Sequence, residues 1–73
     1  MPRLDPRIPF GKRVRELRLA LDLSQEKLAE KAELHRNYVG GVERGERNVS
    51  LVNIVKLAHG LDTAPSELLE TIR

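Results

Sequence analysis

Arg36 and Asn37 carry the most directional chemistry in this chain of 73 residues. A guanidinium and a carboxamide can each make two parallel hydrogen bonds to a flat polar partner such as the edge of a nucleobase. Both lie within residues 24–48, SQEKLAEKAELHRNYVGGVERGERN, which read as two short helices joined by a four-residue corner. That layout lets the second helix enter the major groove of DNA, so the expected function is the reading of a nucleic acid. Catalytic chemistry has little support. His35 and His59 are the only histidines and no cysteine accompanies them, so neither metal-ligand spacing nor a nucleophile–base arrangement is present. No glycine loop has the spacing that cradles a nucleotide phosphate. The expectation is a non-enzyme with no metal and no cofactor.

The elements that must position these side chains are marked by local chemistry. An apolar residue just before an N-cap, paired with one at the fourth helical position, fixes the direction from which the chain enters a helix. The pattern occurs three times: Leu23/Leu28 around Ser24, Leu34/Val39 around His35, and Val49/Ile54 around Ser50. Ser24 and Ser50 are good caps because a hydroxyl accepts from first-turn amides; His35 is a weaker one. A preceding helix is expected from Phe10, Val14, Leu17 and Leu21, which recur on one face. The second helix, 24–32, buries Leu28, Ala29 and Ala32. In the third, 36–44, a step of about 100° per residue turns Val39 and Val42 inward and leaves Asn37, Gly40, Gly41 and Arg44 outward. A fourth helix buries Ile54, Leu57 and Ala58, with Leu61 continuing the stripe, and a fifth starts near Pro65 with Leu68, Leu69 and Ile72. Pro2, Pro6 and Pro9 break helical hydrogen bonding, so residues 1–9 read as a flexible arm and residues 10–73 as one domain. No strand pattern or internal repeat is visible.

Composition narrows the class. The net charge is only +2, but residues 1–18 hold six basic and two acidic groups while residues 59–73 hold one basic and three acidic. One end attracts anions and the other does not. With two aromatic residues and no cysteine, a domain this small is marginal alone and would gain from a partner subunit. The absence of cysteine and of any long apolar run points to a cytoplasmic protein away from membranes.

Three segments, KRVRELR, LSQEKLAEKA and YVGGVERGERNVSL, resemble the phage repressor and Cro family of helix-turn-helix regulators, also called the XRE family, over residues 10–72. The resemblance implies an all-α, five-helix, lambda-repressor-like fold. It places Arg36, Asn37 and Gly41 at base-facing positions and Gln25 at a phosphate-contacting position that also braces the recognition helix. Arg18 and Glu43 match a structural salt bridge between the first and third helices. Arg44, Arg47, Asn48 and Ser50 lead from the recognition helix into the next and suit phosphate contact. Gly40 and Gly41 each cost ~1 kcal/mol against alanine within a helix; at Gly41 the missing side chain means either close approach to DNA or to a partner subunit, or fewer base contacts. Glu33 departs from the family's common glycine, which implies strain of ~1 kcal/mol in a left-handed residue or a different turn.

The function implied is a transcriptional regulator acting as a homodimer on a roughly palindromic double-stranded DNA operator. It would repress by blocking a promoter or activate by contacting RNA polymerase. Leu68, Leu69 and Ile72 are the expected dimer interface, unless they only complete the core. Residues 35–50 are similar to the controller proteins of restriction-modification systems and to stand-alone or prophage regulators. The alternative is an antitoxin-like interaction module that binds DNA only for autoregulation.

Overall fold

The computed structural model describes residues 4–73 and contains five helices in the order α1 (Arg7–Ala20), α2 (Gln25–Ala32), α3 (Arg36–Glu43), α4 (Leu51–Gly60) and α5 (Pro65–Leu69). The described residues contain no strand. Part of the expected arm, residues 1–3, lies outside the described residues. The remainder differs from expectation, because α1 starts at Arg7 rather than Phe10. Pro6 is its N-cap residue and Pro9 falls in the first turn, where a missing amide leaves no helical bond unmade. The Asp5 carboxylate accepts from the Arg7 amide at 3.0 Å and pairs with its guanidinium at 2.7 Å, which lowers the Asp5 pKa below the usual carboxylate range.

All three expected caps form. The Ser24 and Ser50 hydroxyls accept from the amides of Lys27 and Asn53, at 2.9 and 3.2 Å. His35 uses Nδ1 to accept from the Asn37 amide at 3.0 Å, so the ring proton that remains is on Nε2.

The helix exits share one geometry. Asp22, Glu33, Gly45 and Asp62 have φ of 58°, 58°, 78° and 55°, a left-handed residue after each of the first four helices. The amide after each of them reaches back across the final turn: Leu23 to Arg18, Leu34 to Ala29, Glu46 to Gly41 and Thr63 to Ala58. These are Schellman-type closures, which satisfy carbonyls that the helix end would leave open. Glycine takes this conformation without strain at Gly45, whereas the side chains at Asp22, Glu33 and Asp62 take it at a cost.

The core contains Phe10, Val14, Leu28, Ala29, Ala32, Val39, Val42, Leu57, Ala58, Leu61 and Leu68, with Leu17, Leu34, Tyr38, Val49, Ile54 and Ile72 packed against it. Both members of the Leu34/Val39 and Val49/Ile54 pairs therefore face inward. Leu21 does not complete the α1 stripe: the helix stops at Ala20 and the turn leaves Leu21 exposed. Helix α3 packs on α1 and α2, while α4 packs on α2 and α5.

Gly11 makes the first of these contacts possible. A Cβ there would collide with the backbone carbonyl oxygen of Val42 and lie 2.8 Å from that of Glu43. The end of α3 thus rests directly on α1. Arg13, on the same helix, does not face outward for an anion; its Nε donates to the Glu67 carbonyl at 2.9 Å and its Nη2 lies near the Glu67 and Glu70 carboxylates, tying α1 to α5.

Candidate nucleic-acid interface

The interface is built on a buried ionic hinge. Arg18 is 8% exposed, and its Nε and Nη2 donate to both oxygens of Glu43 at 2.7 and 2.9 Å, a bidentate pair. Its Nη1 donates to the Leu23 carbonyl at 2.8 Å. The amide of Gln25 donates to the same Glu43 carboxylate at 3.1 Å. Hydrogen bonding to Glu43 raises the Arg18 pKa further above its ordinary value, against the opposing effect of burial. The first residue of α2, the C-terminal turn of α1 and the last residue of α3 are thereby held together. Gln25 thus reaches the last residue of α3, and Arg18 and Glu43 stand as an ion pair between α1 and α3.

The opposite side of α3 is polar and open. Arg36 and Asn37 are exposed on its first turn, beside the His35 cap. Arg36 Nη1 lies 3.0 Å from Glu26 Oε2, with both side chains largely in solvent. Arg44 Nε pairs with Glu46 Oε2 at 3.1 Å, again exposed. Exposed pairs of this kind contribute ~0.5 kcal/mol or less, so exchanging either carboxylate for another anion or a base edge costs little. Asn48 and Ser50 are exposed at the approach to α4.

Gly41 is on the outer face of α3, as expected from its phase, but it is not open. It is buried in the free chain because Arg47 folds across it, and an added Cβ would stand 2.9 Å from Arg47 Nε and 3.1 Å from its Cγ. Gly40 is covered in the same way, by Arg44 Nη1 at 3.1 Å and Gln25 Oε1 at 3.4 Å from a built Cβ. The two glycines thus form a floor on which the cationic side chains lie. Arg47 continues over the ring of Tyr38, its guanidinium carbon 5.5 Å from the ring centroid. The Tyr38 hydroxyl in turn accepts from Asn53 Nδ2 at 3.1 Å. Gln25, Arg44, Arg47, Tyr38 and Asn53 are consequently one continuous strip along α3, with Arg36 and Asn37 at its head.

The expected dimer residues divide. Leu68 is fully buried and belongs to the core, because α5 folds back onto α4 and α1, so it has no surface to offer a second subunit. Ile72 is half-buried against the core, and Leu69 remains 41% exposed. Sequence reasoning missed two more prominent apolar groups, Leu51 and Val52, which are 74% and 64% exposed on the first turn of α4. Val52 is two residues from Ile54 and so about 200° away around the helix, a phase that marks it as outward. Tyr38 and Asn53 were also missed. A lone tyrosine hydroxyl at a half-buried position calls for a partner, but nothing local identifies Asn53 as that partner.

No helix among the described residues is long and apolar enough to cross a membrane, and they contain no cluster of ligating side chains suited to a metal ion.

Comparison with known proteins agrees with this geometry. A helix-turn-helix family model matches residues 14–68. The restriction-modification controller protein C.AhdI from Aeromonas hydrophila superposes with a TM-score of 0.83 at 64% identity, covering 85% of this chain and 94% of that one. Control protein C.BamHI from Bacillus amyloliquefaciens is 49% identical over 65 residues, 88% of this chain and 80% of its own length. Control protein C.MunI from Mycoplasma sp is 45% identical over 69 residues, 93% of each chain. The chain belongs to the XRE-type helix-turn-helix family of DNA-binding transcriptional regulators, and its relatives include the control proteins of restriction-modification systems.

Proposed function

We propose that this chain is a controller-type regulator that binds a roughly palindromic operator as a homodimer, each subunit laying α3 into a major groove. Arg36 and Asn37 read base edges, while Gln25, Arg44, Arg47, Asn48 and Ser50 hold the phosphates on either side. Arg47 approaches DNA by way of Gly41, whose missing side chain gives the arginine room to lie against the helix. The two half-sites are about one helical turn, ~34 Å, apart. The observation that carries the reading is the pairing of an exposed guanidinium and carboxamide on the first turn of α3 with a buried ionic hinge at its last residue.

A second copy covers the exposed apolar side chains of Leu51 and Val52, with Leu69 as the contributor from α5. Two adjacent apolar residues this exposed suit burial in a symmetric contact better than isolation in water. Occupancy of the operator then represses a promoter that it overlaps, or activates one whose polymerase it touches.

Selection of bound fragments from random DNA tests the proposal, and a symmetric consensus is the expected result. Replacing Arg36 and Asn37 together by alanine should erase discrimination between that consensus and a scrambled duplex. Retained discrimination in a folded double variant would remove α3 from the role of reader. Sedimentation of Leu51→Glu tests the dimer contact, which fails if the variant stays dimeric.

A further inference from the structure

We infer that Asn53, on α4, is a positioning residue for DNA binding: its amide sets the direction in which the Tyr38 hydroxyl donates, and steadies the ring on which Arg47 rests. The inference rests on the proposed docking of α3 and adds a residue that belongs to neither the recognition helix nor the corner before it. Asn53 is half-buried at the third position of α4, and its backbone amide is already committed to the Ser50 cap at 3.2 Å. Its side chain is therefore free of any capping duty and reaches across to α3, where Nδ2 donates to the Tyr38 oxygen at 3.1 Å.

The direction of that bond decides what Tyr38 can do. A phenol has one hydrogen to donate. Because the amide donates to the oxygen, the hydroxyl hydrogen is not used by Asn53 and remains for an acceptor outside the fold. Phosphate oxygens are acceptors only, so a tyrosine can serve a phosphate only in this state. The same bond tethers the outer end of the ring against swinging toward solvent, and the Arg47 guanidinium lies over that ring while its stem crosses Gly41. One amide on α4 thus sets both a donor and a cation on the DNA-facing strip.

Two substitutions separate this from a structural role. Asn53→Ala keeps the cap, since the backbone amide remains, and places a good helix former at the site. Asn53→Asp adds a negative charge to the first turn of α4, which favours the helix, but its carboxylate can only accept and would take the Tyr38 hydrogen. The fold of Asn53→Asp should therefore hold or gain in melting temperature while operator affinity falls. Loss of a charge-assisted bond of this kind corresponds to a fall in affinity of roughly ten- to hundredfold.

The decisive experiment measures operator affinity for Tyr38→Phe, Asn53→Ala and the double variant by titration into labelled duplex, with a scrambled duplex alongside. The expected result is a similar loss for each single variant and no further loss in the double, because Asn53 acts through the hydroxyl. Losses that multiply, or an Asn53→Asp protein that binds as tightly as the parent, overturn the inference. So does Asn53→Ala without effect while Tyr38→Phe and Arg47→Ala both weaken binding. Failure of the parent itself to prefer operator over scrambled DNA is distinguishable, since that outcome rejects the underlying reading of α3.

Discussion

Removing Glu43 should be the most damaging single change to this protein outside its apolar core. Glu43→Ala deletes the acceptor for two Arg18 donors at 2.7 and 2.9 Å and for the Gln25 amide at 3.1 Å, and leaves Arg18 with only the Leu23 carbonyl. The Glu43 side chain is 3% exposed and that of Arg18 9%, so water cannot replace what is lost without opening the packing of α1 on α3. Breaking a buried pair from one side costs about 3–5 kcal/mol. A domain of this length has a total stability of roughly 4–11 kcal/mol at the usual per-residue values. The melting temperature should therefore fall by roughly 12–40 °C. Arg18→Met combined with Glu43→Leu should recover most of the loss, because replacing both charges by apolar groups of similar size leaves none stranded. Urea denaturation and thermal melts of the parent, both singles and the double give the coupling directly. Operator titration of the folded double variant then reports whether the pair also sets the angle of α3, in which case affinity stays low although stability returns. A Glu43→Ala loss below about 1 kcal/mol, or additive single effects, would refute the burial argument.

Three further outcomes are expected. Glu33→Gly removes a left-handed side chain at φ 58° and should raise the melting temperature by roughly 4–8 °C for ~1 kcal/mol of relieved strain; a clear drop in a thermal scan would reject the strain. Gly11→Ala drives a Cβ into the Val42 and Glu43 carbonyls, so overpacking of ~1–3 kcal/mol should outweigh the gain in helix propensity, and a melting temperature that rises would contradict the close approach of α1 and α3. Gly41→Ala gains ~1 kcal/mol of propensity but displaces Arg47 from its bed, so stability should change little while operator affinity drops; tighter binding, measured by titration, would show that Arg47 works better when released.

Where local chemistry decides the conformation, the sequence was readable. Ser24, His35 and Ser50 cap the helices their flanking apolar pairs announce, and of the two alternatives at Glu33, a strained left-handed residue or a different turn, the chain takes the left-handed one. Pro6 and Pro9 do not bar α1 because proline breaks the middle of a helix but suits its start, and nothing in residues 1–9 alone distinguishes the two placements. Asp22 and Asp62 escaped notice because aspartate tolerates a left-handed φ without advertising it as glycine does. The remaining differences are long-range. Gly41 is outward by helical phase, yet Arg47, six residues on, covers it; Leu68 is apolar at an interface-like spacing, yet the return of α5 onto α1 and α4 buries it. Asn53 meets Tyr38 from another helix, and no periodicity encodes that meeting.

The two kinds of ion pair in this molecule divide rigidity from readout. The Arg18–Glu43 pair is buried and bidentate, so any rearrangement strands a charge, and α3 has one position relative to α1 and α2. The Arg36–Glu26 and Arg44–Glu46 pairs are single contacts in water, between side chains more than half exposed, and their partners can be exchanged at little cost. A DNA reader needs both properties at once. Base discrimination depends on a helix axis that does not yield to a wrong sequence, because a scaffold that adjusts would let mismatched edges be satisfied as well as matched ones. It also depends on side chains that can leave their resting partners, because a guanidinium locked to a buried carboxylate would lose in the free protein whatever it gained on the operator. In this chain the buried carboxylate faces the scaffold arginine and the exposed carboxylates face Arg36 and Arg44, the arginines proposed to meet the bases and the phosphates. That distribution of burial, rather than the small net charge, is what suits the chain to selective binding.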